Sequence, residues 1–480
     1  MLKGNLIEAL KTFTPKEMRE FSGFVNSSYF IKNKKVKKLF DIIKNYYPEF
    51  NSNKLNKEKV FEKIYGNESY KDSKMRILMF YLYEVVEKFL VYNRIVNNET
   101  VFKEFVVKEL HERNLHKDFE KTCRQALMDI DKGTIVNADY YMNKFTFQYE
   151  YLNYLCTAQT DQYGKFMNEE NIEKVFNNLT YYYIIMVFKF YSIVLTTKTL
   201  YNTNIETVLF EKITNTYDAN LFKDVPLINI YYNAVMCLLE PDEEKYYFNM
   251  KKLVFENNDN ISSNDLLNLY INLENYCTRK TITGNTAYLK EGFEILKKEI
   301  DYKIYRTGGF MSPLFYRSSF VIGMKLKETE WAQNFIEKYR SELDNENRDS
   351  VYYYCMAYMQ ETEGNYEKGL DYLAKARTEE HYLKTEIKLL QCKLFYMLDW
   401  NIPLTSMIET FKRTLKNDKL IPEKRKLLYL KFAKYLNKIN NIKEKPDNNK
   451  TADLKKEIIC DDDFVLKSWI LNRISELPVH

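Results

Sequence analysis

The chain has 480 residues, of which only 12 are glycine and 9 are proline, about a third of the share found in average proteins. Sandwiches, barrels and doubly wound sheets need such residues at every turn, so they are excluded and a mostly helical fold is expected. The net charge of +5, from 72 basic and 67 acidic residues, selects neither nucleic acid nor an acidic membrane as a partner.

The charge is unevenly spread. Residues 1–100 hold 19 Lys and Arg against 12 Asp and Glu, residues 401–450 hold 13 against 5, and the rest hold 40 against 50. The first residues, Met1 to Lys11, are broken by charges every few positions, so no signal peptide is expected. Thr14-Pro15-Lys16-Glu17 reads as a capping box, with Pro15 opening a helix. Pro226, Pro241, Pro313, Pro403 and Pro422 mark further helix starts in the same way, and Ser312-Pro313 is a second strong one. Five helices are predicted over the first 100 residues, at 4–12, 15–26, 34–46, 57–65 and 71–97. The last is apolar around most of its circumference and is expected to be covered on most sides. Longer helices continue from 100 to 220. The most apolar run, Tyr181 to Leu195, contains Lys189 and is short for a bilayer, so a buried core helix and no membrane span are expected.

From about 225 the pattern becomes a series of helix pairs. First helices are predicted near 225, 262, 312, 348, 383 and 421, and second helices near 241, 286, 329, 365, 402 and 458. Most of these intervals lie near the 34-residue period of one repeat class, and the longest contains Gly308-Gly309, read as an insertion. Residues 440–454 are polar, include Pro446 and read as a linker, with a closing helix around Trp469. The domain boundaries that follow are a basic helical region at 1–100, a connecting region at 101–224, helix pairs at 225–440, and linker plus cap at 441–480.

The clearest pair carries Tyr353, Met356 and Ala357, then Gly364-Asn365-Tyr366, then Gly369, Leu373 and Ala376, with Trp400 following Tyr366 by 34 residues. This resembles a tetratricopeptide repeat over about 348–417, more faintly over 225–347 and after 421, and not over the first 130 residues. Gln360, Gln391 and Leu394 depart from the repeat pattern, and His381 stands where a closing proline is usual. The resemblance implies an all-α solenoid whose first helices line a binding surface. It would direct Tyr354, Tyr358 and Lys388 toward a bound peptide. The Lys and Asn clamp that some such domains use for C-terminal carboxylates is not reproduced, so that ligand is not implied.

Residues for catalysis are sparse. Of four histidines only His111 and His116 are close, and they point about 140° apart on a helix. No phosphate loop, nucleophile elbow or zinc motif is present. Asp461-Asp462-Asp463 reads as the cap of the last helix. The expectation is therefore no enzyme, no metal and no cofactor. On a helical wheel Lys424, Lys431, Lys434 and Lys438 form one stripe beside an apolar arc, a surface for an acidic partner or for phosphates. Seven widely spaced cysteines favour reduced thiols and a cytoplasmic setting. The reading is a non-catalytic scaffold that binds a protein or peptide. The alternative is a nucleic-acid-associated protein that uses the basic segments near Lys32–Lys38 and at 401–450.

Overall fold

The computed structural model describes residues 4–51, 55–157, 169–201, 205–282, 285–378, 380–461 and 464–477. These residues form 23 α-helices and one two-stranded ribbon, so the protein is all-α, a solenoid-like succession of helices packed against their neighbours in sequence. It divides into two compact units: residues 1–132 with 143–175, and residues 133–142 with 176–480. The first division thus falls near 132, some thirty residues beyond the boundary expected at 100.

Unit 1 opens with α1 (Asn5–Lys11), α2 (Pro15–Asn26), α3 (Lys34–Ile43), α4 (Lys57–Tyr65) and α5 (Asp72–Val96), followed by α6 (Glu99–Glu112) and α7 (His116–Asp131). The capping box forms as read: the Glu17 amide donates to Thr14 Oγ1 at 3.2 Å, and the Thr14 amide to Glu17 Oε2 at 2.7 Å. Helices α1 to α4 all pack on α5. Phe21 joins them, its ring 5.0 Å from Phe40 and 5.1 Å from Phe89, in the edge-on and tilted arrangements that aromatic quadrupoles favour. The expectation that α5 is covered on most sides holds for one side only. Met75, Leu78, Leu82, Val86 and Phe89 are buried, whereas Ile77, Phe80 and Val91 are more than half exposed.

Two long helices, α8 (Ala138–Thr157) and α9 (Glu169–Tyr201), contribute residues to both units. Residues Ile172–Lys198 of α9 are long and apolar enough to cross a membrane by length and composition. One arc of α9 is a core arc: Ile185, Phe188 and Tyr191 are buried in unit 2, and Lys189 is paired with Asp265 at 2.7 Å. Tyr183, Phe190 and Ile193 on the other arc are about half exposed, so the helix is not wholly buried as expected.

Unit 2 continues with α10 (Val208–Asn215) and then six pairs. These are α11 (Pro226–Leu239) with α12 (Glu244–Asn257), α13 (Ser263–Ile282) with α14 (Ala287–Tyr302), and α15 (Pro313–Lys325) with α16 (Thr329–Tyr339). They continue as α17 (Arg348–Thr362) with α18 (Tyr366–Lys375), α19 (His381–Met397) with α20 (Asn401–Asn417), and α21 (Glu423–Glu444) with α22 (Asn448–Cys460). The single helix α23 (Lys467–Ser475) ends the series. Pro226 and Pro313 occupy the first turn as Pro15 does, where a missing N–H leaves no bond unmade. Pro422 instead sits at the N-cap, Pro403 is the third residue of α20, and Pro241 lies in the turn before α12. Ser312 makes no side-chain cap.

The turn inside three of these pairs repeats one backbone geometry. Lys327, Gly364 and Asp399 each lie two residues before the second helix with φ of +64°, +81° and +58°. The following amide then reaches back five residues: Glu328 to Gly323 O at 2.9 Å, Asn365 to Gln360 O at 2.9 Å, and Trp400 to Phe395 O at 3.1 Å. This is a left-handed helix stop that satisfies carbonyls left open at the first helix's end. The same turn joins α6 to α7 in unit 1, where Asn114 has φ of +57° and the Leu115 amide reaches Leu110 O at 2.9 Å. The helix-pair element therefore begins within the first 130 residues. Close packing explains Gly369 as well: a Cβ there would lie 3.1 Å from Leu394 Cδ1 and 3.4 Å from the Ala357 carbonyl.

The long interval before α15 holds the ribbon. Arg306 pairs with Met311 and Thr307 with Phe310, around Gly308 and Gly309 with φ of +62° and +89°. Both turn residues need positive φ, which is why two glycines stand there. At the other end the expected linker is helical. Helix α21 runs to Glu444, and the Asp447 side chain accepts the Lys450 amide at 3.1 Å to start α22. Asp462 and Asp463 of the acidic triplet lie outside the described residues.

Candidate functional site

The first helices of four consecutive pairs turn polar side chains to one common face. On α15, Leu314, Arg317, Val321 and Lys325 share an arc by their i, i+3, i+7, i+11 spacing. Tyr354, Tyr358 and Glu361 do so on α17, Tyr382, Glu386 and Lys393 on α19, and Arg425 and Tyr429 on α21. These residues bond across helices. Glu386 lies 3.6 Å from Arg317 and accepts the Tyr429 hydroxyl at 2.8 Å, joining α15, α19 and α21. Lys393 pairs with Glu361 at 2.8 Å, joining α19 to α17, with side chains only 9% and 13% exposed. A pair this desolvated depends on its geometry, and losing either partner would strand a charge.

The electrostatics follow from this crowding. Burial, then the Glu386 carboxylate, push the Tyr354 phenol well above its ordinary pKa. Tyr358 is raised by burial and by Glu361 and Glu386. Lys325 is exposed to solvent, yet surrounding protein pushes its pKa down, and Lys393 and Arg317 push it the same way against Glu386. Burial, the largest single influence, pushes the Arg317 pKa down, but Glu386 together with Tyr354, Tyr429 and Cys355 outweighs it and holds the guanidinium above its ordinary value.

Not all residues singled out from the sequence meet here. Tyr354 is 3% exposed, a core side chain at the floor of this face, and Tyr358 is half-buried beside it. Lys388 stands two residues past Glu386, about 200° round α19. Its pKa is lowered by burial and by Lys384 and Arg413, away from the two tyrosines. The lysine stripe has partners within the chain. Lys431 pairs with Asp461 at 2.6 Å, and Lys434 and Lys438 pair with Glu457 at 2.9 and 2.6 Å. Those carboxylates come from α22 and the residue that ends it, the stretch whose polar start reads as linker. Only Lys424 of the four is exposed without a carboxylate at ion-pair distance among the described residues. In the N-terminal basic run, Lys37 donates to Asn26 O at 3.0 Å and Lys35 lies 4.1 Å from the Tyr65 ring centroid.

Arg317, Lys325, Glu361, Glu386, Lys393 and Tyr429 are the residues that sequence reasoning missed. Their one signal is a charged or phenolic residue recurring at i, i+4, i+7 or i+8 within otherwise apolar first helices. No group of three or more His, Cys, Asp or Glu side chains is placed to hold a metal among the described residues. His111 and His116 both lie against Tyr154, with ring centroids at 5.8 and 5.3 Å. No protein-family model matches the chain, and neither a curated protein nor a solved structure matches it significantly.

Proposed function

We propose that the protein is a non-catalytic, tetratricopeptide-like scaffold that takes up a protein or peptide on the face of α15, α17, α19 and α21. The observation that carries this is the ladder of cross-helix bonds Arg317–Glu386–Tyr429 and Lys393–Glu361, which ties four first helices into one polar surface. A rigid surface of that kind loses little conformational entropy on binding. The repeated turn at Lys327, Gly364 and Asp399, with Gly369 in close contact between helices, supports the repeat reading. A reducing, cytoplasmic setting belongs to the same proposal and is supported by seven free thiols, five of them buried. The nucleic-acid alternative is weakened by the Lys431, Lys434 and Lys438 ion pairs.

The test is co-purification of the tagged full chain from its native host at mild salt. Wild type should recover a discrete protein, and Leu314→Asp, at a position 59% exposed on this face, should lose it. Recovery of nothing, or equal recovery by Leu314→Asp, would overturn the proposal.

A further inference from the structure

The charges on the first-helix face do not balance. Four cations, Arg317, Lys325, Lys393 and Arg425, stand with two carboxylates, Glu361 and Glu386. Glu361 is taken by Lys393, and Glu386 serves both Arg317 and the Tyr429 hydroxyl. Lys325 is left exposed, with no carboxylate at ion-pair distance among the described residues, while the Arg425 guanidinium lies over the Tyr382 ring at 4.8 Å. Off this face Lys412 pairs with Glu409, Lys426 with Glu423 and Arg473 with Glu476, while Lys424 on another arc of α21 has no carboxylate at ion-pair distance among the described residues. On this face the excess of cations sits where four helices converge. A partner carboxylate at Lys325 would relieve the repulsion from Lys393 and Arg317 and replace lost hydration.

We infer that this face recognises an acidic peptide segment, with Lys325 as the accessible anchor and Arg317 as the second cation. The inference rests on the scaffold reading and adds the chemistry of the partner. Arg317 and Lys325 are eight residues apart on α15, about 12 Å along the axis. An extended chain covers that span in three or four residues, so a segment with two acidic side chains at that separation can reach both cations, and a single terminal carboxylate cannot. A nucleic-acid strand fits less well. Glu361 and Glu386 lie among the cations and would repel a continuous row of phosphates.

The experiment is fluorescence anisotropy on the full chain. The probes are a labelled, C-terminally amidated twelve-residue peptide with paired glutamates four residues apart, the same peptide with glutamine for every glutamate, and a twelve-nucleotide oligothymidine. The glutamate peptide should bind, at least tenfold more tightly than the glutamine peptide, and more weakly as salt rises. Lys325→Glu should weaken it at least tenfold, Lys325→Gln by less, and Lys424→Gln not at all. Lys325 is exposed, and an unchanged melting curve for Lys325→Gln keeps the result interpretable if the charge reversal perturbs folding. Equal binding of the two peptides, no effect of either Lys325 variant, or tighter binding of the oligonucleotide would each overturn the inference. If the host protein is still recovered on the wild-type chain and the glutamate peptide does not displace it, the acidic-segment inference fails while the scaffold reading stands. If no protein is recovered at all, the scaffold reading itself fails.

Discussion

Replacing Glu299 with glutamine should stabilise unit 2 at neutral pH and destabilise it in acid. Glu299 on α14 is 1% exposed and its Oε1 has no hydrogen-bond partner among the described residues, and Glu274 Oε1 on α13 is buried and unpartnered among them in the same way. Burial raises the pKa of both carboxyls, and for Glu299 the Glu274 charge adds to it, so the folded protein keeps a proton that the unfolded chain releases. The sign follows from linkage. Below the unfolded pKa, about 4.5, both states are protonated and nothing is lost. Above it, stability falls by about 1.4 kcal/mol per pH unit for each retained proton, until the folded pKa is reached. From pH 4.5 to 7 one proton thus costs about 3 kcal/mol, which glutamine avoids. The buried amide leaves a donor unpaired, at about 1–3 kcal/mol. The variant should therefore gain up to about 2 kcal/mol at pH 7, lose about 1–3 kcal/mol at pH 4.5, and show a flatter profile between. All three tryptophans, Trp331, Trp400 and Trp469, lie in unit 2, so urea unfolding followed by tryptophan fluorescence reads this unit alone. Parallel pH profiles for wild type and Glu299→Gln, or a loss of stability at pH 7, would refute a proton held by burial.

The repeated turn makes opposite predictions at two equivalent positions. Lys327→Gly should raise stability by about 1 kcal/mol, because a side chain strained in the left-handed region is removed, and Gly364→Ala should lower it by about 1–2 kcal/mol. Thermal melts of both variants check the pair. Thr14→Ala removes the capping box of α2 and should cost unit 1 about 1 kcal/mol, measurable as faster amide exchange in α2 with α17 unaffected. Glu457→Gln breaks the partners of Lys434 and Lys438 at once. Both pairs are part-exposed, so the expected loss is about 0.5–1 kcal/mol, with faster amide exchange in α22 and no new oligonucleotide binding in a filter assay.

Much of the helix order can be read from the residues, because few breakers interrupt it and several prolines fall in first turns. The left-handed turn within the pairs is visible only where glycine fills it. Gly364 announces the turn, while Lys327, Asp399 and Asn114 hold the same conformation without any such mark. The polar start of α22 conceals it for a similar reason: Asn448, Asn449 and Lys450 look like loop, and the informative residue is Asp447 as the cap. Once α22 is helical, Glu457 and Asp461 come to face the lysine stripe, and a surface expected to be open is paired within the chain. The candidate face is less legible still. Arg317 meets Glu386 across 69 positions, and Glu386 meets Tyr429 across 43. Periodicity locates a side chain on its own helix and says nothing about which helix it will meet.

Site-specific photo-crosslinking in the native host tests the scaffold proposal most directly. A photoreactive phenylalanine analogue would replace Leu314 on the first-helix face or Ile402 on α20, positions 59% and 86% exposed. A discrete protein adduct from position 314, absent from position 402, is the expected result. No adduct at 314, or the same adducts from both positions, would contradict a partner-binding face on the first helices.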